Sequence, residues 1–287
     1  MITLLLLRIA FNVSRWTTPD DDGEWAAACS LADPADVAGR IDKFVFKRDA
    51  KLALAGQLLI RAALRQIAAA ELGLLTPAEL SARLRRTPTG KPYLTAAADS
   101  SIAHPEVHFN SSHHGDYVAV VAAVAPNCMV GVDVMRIDAP PARESIDSYI
   151  GVMKTAFHPD EFRYIQSQPS HEIAEKSNRL HAFYRFWTLK ECYVKAIGAG
   201  LGMELSQIRL TEDASIPLDL RIQQITSNVT CAVDNIPLDR WHFEQQYLDE
   251  LHPIAVAMHA PNGGFTSGRF SILPSFSSLL TLAGGTT

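Results

Sequence analysis

Apolar positions between Arg48 and Glu71 recur at helical spacing, with Leu52, Leu59, Ala63 and Ile67 on one stripe of an Ala-, Leu- and Gln-rich stretch. That periodicity predicts a long amphipathic helix, with Gly73 as its stop. Thr76-Pro77-Ala78-Glu79 sets a capping side chain before a proline and a first-turn acid, so a shorter helix begins there. Met1 to Leu7 is largely apolar, has no basic leader and meets Arg8 early, which predicts an amino-terminal strand rather than a signal peptide. Phe109 and the run Tyr117 to Ala122 read as strand residues flanking a Ser111-Ser112-His113-His114-Gly115-Asp116 turn.

A second set of elements follows Pro126-Asn127. It opens with a β-rich stretch from Met129 to Val134, breaks at Pro140-Pro141, and turns helical near Ile146 to Ala156 and Pro159 to Gln166. A long helix is predicted from about Glu172 to Ile197, capped by Gly198-Ala199-Gly200-Leu201-Gly202. Residues 208 to 259 read as strands and hairpins, with Trp241 to Glu244 and Ile254 to Met258 as members. The fold class is α+β, in two units over 1–125 and 126–260, each with one dominant helix and its strands. Residues 261–287 show no clear pattern and are expected as a partly disordered tail.

With 47% hydrophobic and 20% charged residues over 287 positions, the chain has the composition of a soluble globular protein with a buried core. No apolar run is long enough to cross a bilayer, so no membrane association is expected. Cys29, Cys128, Cys192 and Cys231 lie far apart with no C-x-x-C pair, which argues against a disulfide framework or a zinc knuckle and suits a reducing cytoplasmic setting. A net charge of -5 offers no general attraction for nucleic acid. A phosphate ligand would need local cations, found in Lys47, Arg48 and Lys51 and in Arg83, Arg85, Arg86 and Lys91. Taken alone, both clusters also fit solvated helix faces.

Three constellations carry candidate chemistry. Gly131-Val132-Asp133-Val134 puts a carboxylate into an apolar strand, where it needs either a salt-bridge partner or a metal. Glu191 and Lys195 stand four apart on the predicted long helix, beside an apolar stripe of Trp187, Val194 and Ile197. That spacing serves a surface ion pair, or a metal ligand or base with a cation facing phosphate. In Asn110 to Asp116 the two histidines suggest zinc only weakly, since no third ligand has matching spacing. The glycines at 198 to 202 follow a helix rather than a strand, so neither a dinucleotide loop nor a P-loop is indicated.

In order along the chain, Phe44 to Lys51, Arg86-Thr87-Pro88-Thr89-Gly90-Lys91-Pro92, Asn110-Ser111-Ser112-His113, Gly131 to Met135, and Trp187 to Glu191 continuing through Lys195 to Gly198 resemble the motifs of the 4′-phosphopantetheinyl transferases, the broad-range eukaryotic type in particular. The resemblance covers residues 40 to 260, and the signatures G-x-D and W-x-x-K-E-x-x-x-K-A are specific in combination. It implies a pseudodimer of two similar α+β halves, each a long helix on a small antiparallel sheet, with an active-site cleft between them that holds coenzyme A. It also implies transfer of phosphopantetheine from coenzyme A to a serine of an apo acyl or peptidyl carrier protein.

In that scheme Asp133 and Glu191 bind Mg²⁺, Glu191 is the candidate base and Lys195 neutralises developing charge. Arg48, Arg86 and Lys91 contact the phosphates, Thr87, Pro88, Thr89 and Gly90 belong to the coenzyme-binding residues, and Asn110, Ser111, Ser112 and His113 line the nucleotide end. Met135 stands where some bacterial relatives carry a second acid, which leaves water or His114 as a third ligand. A monomer is expected, since one chain supplies both halves. Two other readings stay open: a coenzyme A acyltransferase with a histidine base, although H-H-x-x-x-D is not met at His113-His114, and a carrier-binding module without catalysis.

Overall fold

The computed structural model describes residues 2–17, 23–71, 76–87, 91–95, 106–141, 143–171, 173, 177–213, 222, 224–261 and 263–284. Gly73, the predicted helix stop, and Pro88, Thr89 and Gly90 lie outside them. Elements run in the order β1 (Ile2–Leu4), β2 (Leu6–Asn12), α1 (Gly23–Leu31), α2 (Pro34–Gly39), α3 (Lys47–Glu71), α4 (Pro77–Arg83), β3 (Leu84–Arg86), β4 (Pro92–Leu94), β5 (Val107–His114) and β6 (Tyr117–Val124). There follow β7 (Met129–Val134), α5 (Ile146–Gly151), α6 (Pro159–Ser167), α7 (Asn178–Ile197), β8 (Ile208–Glu212), β9 (Val229–Val233), β10 (Ile236–Pro237), β11 (Trp241–Tyr247) and β12 (Pro253–His259). β13 (Gly263–Phe265), β14 (Ser271–Leu273) and α8 (Phe276–Ala283) complete the chain. The architecture is mixed α+β, with several small sheets and helices.

Two units emerge. The first is Met1–Cys128 with Asn262–Thr266 and Phe270–Thr287; the second is Met129–Pro261 with Ser267–Arg269. In the first, a four-stranded sheet in the order β14-β2-β6-β5 is covered by α3. The apolar stripe read from the sequence is the reason: Leu52, Leu59, Ala63 and Ile67 are buried, as are Leu54 and Leu58, which the pattern does not single out, together with Val120 and Ala122 of β6. The shorter helix α4 begins as expected, with Thr76 and Glu79 forming a capping box.

Residues beyond 261 depart from the expected tail. β13 pairs parallel with β1 in a separate two-stranded sheet, and β14 pairs parallel with β2, so the four-stranded sheet is not purely antiparallel. α8 sends Phe276, Leu279 and Ala283 into the core, and Phe276 stacks on Trp16 with ring centroids 3.7 Å apart. Three-residue strands have little local pattern, and their stability comes from neighbours far away in sequence. α1 and α2 were not visible in the periodicity; α1 has no apolar face distinct from its polar one.

In the second unit, α7 packs across β7 and β12 of the antiparallel sheet β11-β12-β7. A second antiparallel sheet runs β10-β9-β8. α7 starts at Asn178, later than the sequence pattern suggests, after Ser177 as N-cap; it ends on Gly198, whose φ of 72° is the left-handed cap that glycine adopts without strain. Among the described residues no helix is long and apolar enough to cross a membrane.

Candidate active site

Side chains alternate along β7, so Gly131 and Asp133 share the face that α7 covers. Gly131 makes the approach close: a Cβ there would sit 2.0 Å from the Cys192 carbonyl oxygen and 2.5 Å from the Ala196 amide nitrogen. With no side chain at 131, α7 lies nearly against the strand, and residues one turn along it reach Asp133. Lys195 Nζ lies 2.5 Å from Asp133 Oδ1, the amine partly exposed and the carboxylate buried. The partner that an acid inside an apolar strand requires is therefore Lys195, the cation that helix spacing alone would have assigned to Glu191.

Glu191 is half-buried on the same helix. Burial raises its pKa above the ordinary carboxylate value, the negative charge of Asp133 raises it further, and Lys195 opposes both. Two carboxylates and an amine thus act on one another in a partly desolvated setting, which is where an acid acquires the proton affinity of a base.

Could this cluster hold a divalent cation? Among the described residues no group of three or more His, Cys, Asp and Glu side chains stands ready for a metal. Asp133 and Glu191 offer hard carboxylate oxygens only, and their mutual repulsion is what a cation would relieve. Two such donors completed by water and substrate oxygens match Mg²⁺, which seldom takes a full protein cage. The donor set fits that ion. Met135, in place of a further acid, packs against the core of the second unit.

The anion-binding candidates belong to the first unit. Arg48, at the start of α3, donates from Nη2 to the Gly115 carbonyl at 2.9 Å and lies 2.8 Å from Asp116 Oδ1. The contact joins the first basic cluster to the hairpin that carries the histidines. That hairpin differs from the sequence reading. β5 continues through His114, and only Gly115-Asp116 turn, Gly115 at φ 59°. A two-residue turn with positive φ matches the strand twist, so Ser111 to His114 stay paired with β6.

One consequence is that the predicted nucleotide-lining residues divide between the two faces of the sheet. Ser111 and His113 fall on the face of Phe109, toward α3, while Asn110 and Ser112 fall on the other. Arg86 ends β3 and pairs with Asp36 at 3.0 Å. Thr87 N–H donates to the Lys91 carbonyl at 2.9 Å, and Lys91 N–H returns a bond to Thr87 Oγ1 at 3.1 Å. Burial lowers the Lys91 pKa. Sequence reasoning had not anticipated the carboxylate partners Asp36 and Asp116, nor the closeness imposed by Gly131. Only the last left a local signal, a glycine two residues before an acid in an apolar strand.

A sequence model described as 4′-phosphopantetheinyl transferase, N-terminal, matches residues 14–125, and one described as the 4′-phosphopantetheinyl transferase superfamily matches 129–257. The chain belongs to the 4′-phosphopantetheinyl transferase family, and its activity is transfer of phosphopantetheine to carrier proteins. It is 39% identical over 257 residues to the L-aminoadipate-semialdehyde dehydrogenase-phosphopantetheinyl transferases of Homo sapiens and Mus musculus, covering 90% of this chain and 76% of each relative. It is 28% identical over 180 residues to the 4′-phosphopantetheinyl transferase of Bacillus subtilis, covering 62% of this chain and 66% of that protein. Neither the acyltransferase nor the binding-module reading is favoured by these relatives.

Proposed function

We propose that Asp133, Glu191 and Lys195 are the catalytic cluster of this transferase, acting on coenzyme A and the serine of an apo acyl or peptidyl carrier protein. The observation that carries the reading is the contact of Lys195 with buried Asp133, beside a second carboxylate whose proton affinity burial and then Asp133 raise. In the reaction the serine oxygen forms a bond to the β-phosphorus of coenzyme A. The bond from that phosphorus to the bridging oxygen breaks, and adenosine 3′,5′-bisphosphate departs. Glu191 takes the serine proton, directly or through a water. Lys195 faces the charge that grows on the departing oxygen.

Asp133 and Glu191 would hold Mg²⁺, which when bound supplies charge neutralisation at the diphosphate. Arg48, Arg86 and Lys91 would hold anionic groups of coenzyme A, the two guanidiniums offering bidentate forks. Thr87 to Gly90 and Asn110 to His113 would complete the nucleotide end. The proposal includes the pseudodimer reading of the fold, a monomeric state and a cytoplasmic setting.

Intact mass of an apo carrier protein incubated with the chain, coenzyme A and Mg²⁺ tests the scheme. The expected result is a gain of one phosphopantetheine, abolished by EDTA and by Glu191→Gln. Transfer that persists in EDTA, or at the wild-type rate in Glu191→Gln, would refute the assignment.

A further inference from the structure

Lys190 belongs to the Trp187 to Lys195 signature, yet the chemistry above gives it no task. It is fully buried, and its ammonium has three acceptors: Glu161 Oε2 at 2.8 Å, the Leu205 carbonyl at 2.8 Å, and the Ile208 carbonyl. Glu161, also buried, accepts in turn from the Leu210 N–H at 2.6 Å and the His158 N–H at 2.8 Å. A lone ammonium or a lone carboxylate in such a place would be very unfavourable. Here three donors meet three acceptors, and the carboxylate is bonded on both oxygens. The node ties α7 to α6, to the chain at 205 to 208, and to β8.

Its position on the helix matters. Successive residues of an α-helix are about 100° apart. Cys192 and Ala196, which meet Gly131, therefore lie roughly 160° and 120° around α7 from Lys190. The helix is held from two broad sides. Contact at Gly131 sets its distance from β7, and the Lys190 node opposes rolling and sliding. Glu191 lies about 100° from Lys190, in the sector between the two restraints.

We propose that Lys190 and Glu161 form a positioning pair for the transferase site, fixing the rotation of α7 so that Glu191 and Lys195 are presented to Asp133. The proposal rests on the reading of those three residues as the catalytic cluster. Neither member of the pair touches the reacting atoms.

Three variants test it: Lys190→Met, Glu161→Gln and the double change, which leaves no lone charge buried. Each is measured by thermal unfolding, by amide exchange over residues 205 to 210, and by steady-state transfer beside the wild type. Lys190→Met should lose both stability and kcat. The double variant should recover most of the Tm while kcat stays at least tenfold down, KM for coenzyme A changes less than twofold, and exchange over 205 to 210 is faster than in wild type. Recovery of kcat together with Tm, or unchanged exchange in the double variant, would overturn the proposal. If the wild type itself fails to transfer phosphopantetheine, the catalytic reading has failed instead, and the exchange measurement still decides whether the pair anchors α7.

Discussion

Replacing Gly131 by alanine adds a methyl group where β7 and α7 come closest. Its carbon would stand 2.0 Å from the Cys192 carbonyl oxygen, against the 3.4 Å at which ordinary contact begins, a shortfall of about 1.4 Å. The obstacles include the helix backbone rather than the end of a flexible side chain, so relief requires α7 or β7 to move. α7 is held on its far side by buried Lys190, bonded to Glu161 of α6 and to the Leu205 carbonyl. Overpacking of this kind costs about 1–3 kcal/mol, and the rigidity on both sides places this site near the upper end. For a protein of this size, 3 kcal/mol corresponds to a Tm lower by about 6–12 °C. A shift of an ångström or more also separates Lys195 from Asp133, and misplacement of that size costs on the order of 10²-fold in rate. Thermal unfolding and carrier modification by intact mass measure both effects. Gly56→Ala is the control: its added carbon would lie 3.7 Å from Val118 Cγ1 inside α3, where alanine favours a helix by about 0.5–1 kcal/mol over glycine. If Gly131→Ala unfolds with the wild type and turns over at its rate, close approach of α7 to β7 is not what builds the site.

Glu191→Gln should change the pH dependence of stability. Unfolded, the carboxyl has its ordinary value of 4.5; folded, burial and Asp133 raise it. Its contribution is thus fully present below the unfolded value and is lost as pH rises through the folded one. Without metal, the variant should melt at or above the wild type near pH 8, with the difference shrinking toward pH 5, and Mg²⁺ should raise the wild-type Tm alone. Equal slopes and equal metal responses would contradict this. Arg48→Ala should raise KM for coenzyme A with little change in kcat, and should shift stability by no more than about 1 kcal/mol because its pairing with Asp116 is exposed. Phe276→Ala should destabilise by about 3–5 kcal/mol, read by denaturant unfolding, since its ring is buried against Trp16 and Phe11. Cys128 and Cys231 are buried with pKa values pushed up to about 12, so a thiol reagent at pH 8 should label Cys29 first and those two only on unfolding.

Much of the architecture could be read directly from the chain. The stripe on α3, the capping box at Thr76, the apolar run of β7 and the glycine that ends α7 are local patterns that signal their elements without help. So did the candidate chemistry: an acid in an apolar strand and an acid and amine one helical turn apart can be seen residue by residue. Tertiary structure decided which of them meet. Helix spacing offered Glu191 to Lys195, whereas the missing side chain at Gly131 brought Lys195 to Asp133 across elements sixty residues apart. It also decided that residues 263 to 266 and 270 to 284 complete the first unit, because strands as short as β13 and β14 carry no pattern of their own and form only on the edges that β1 and β2 provide. Local sequence sets which conformations are cheap; contacts distant in the chain set which charges share a desolvated space, and no spacing rule encodes that.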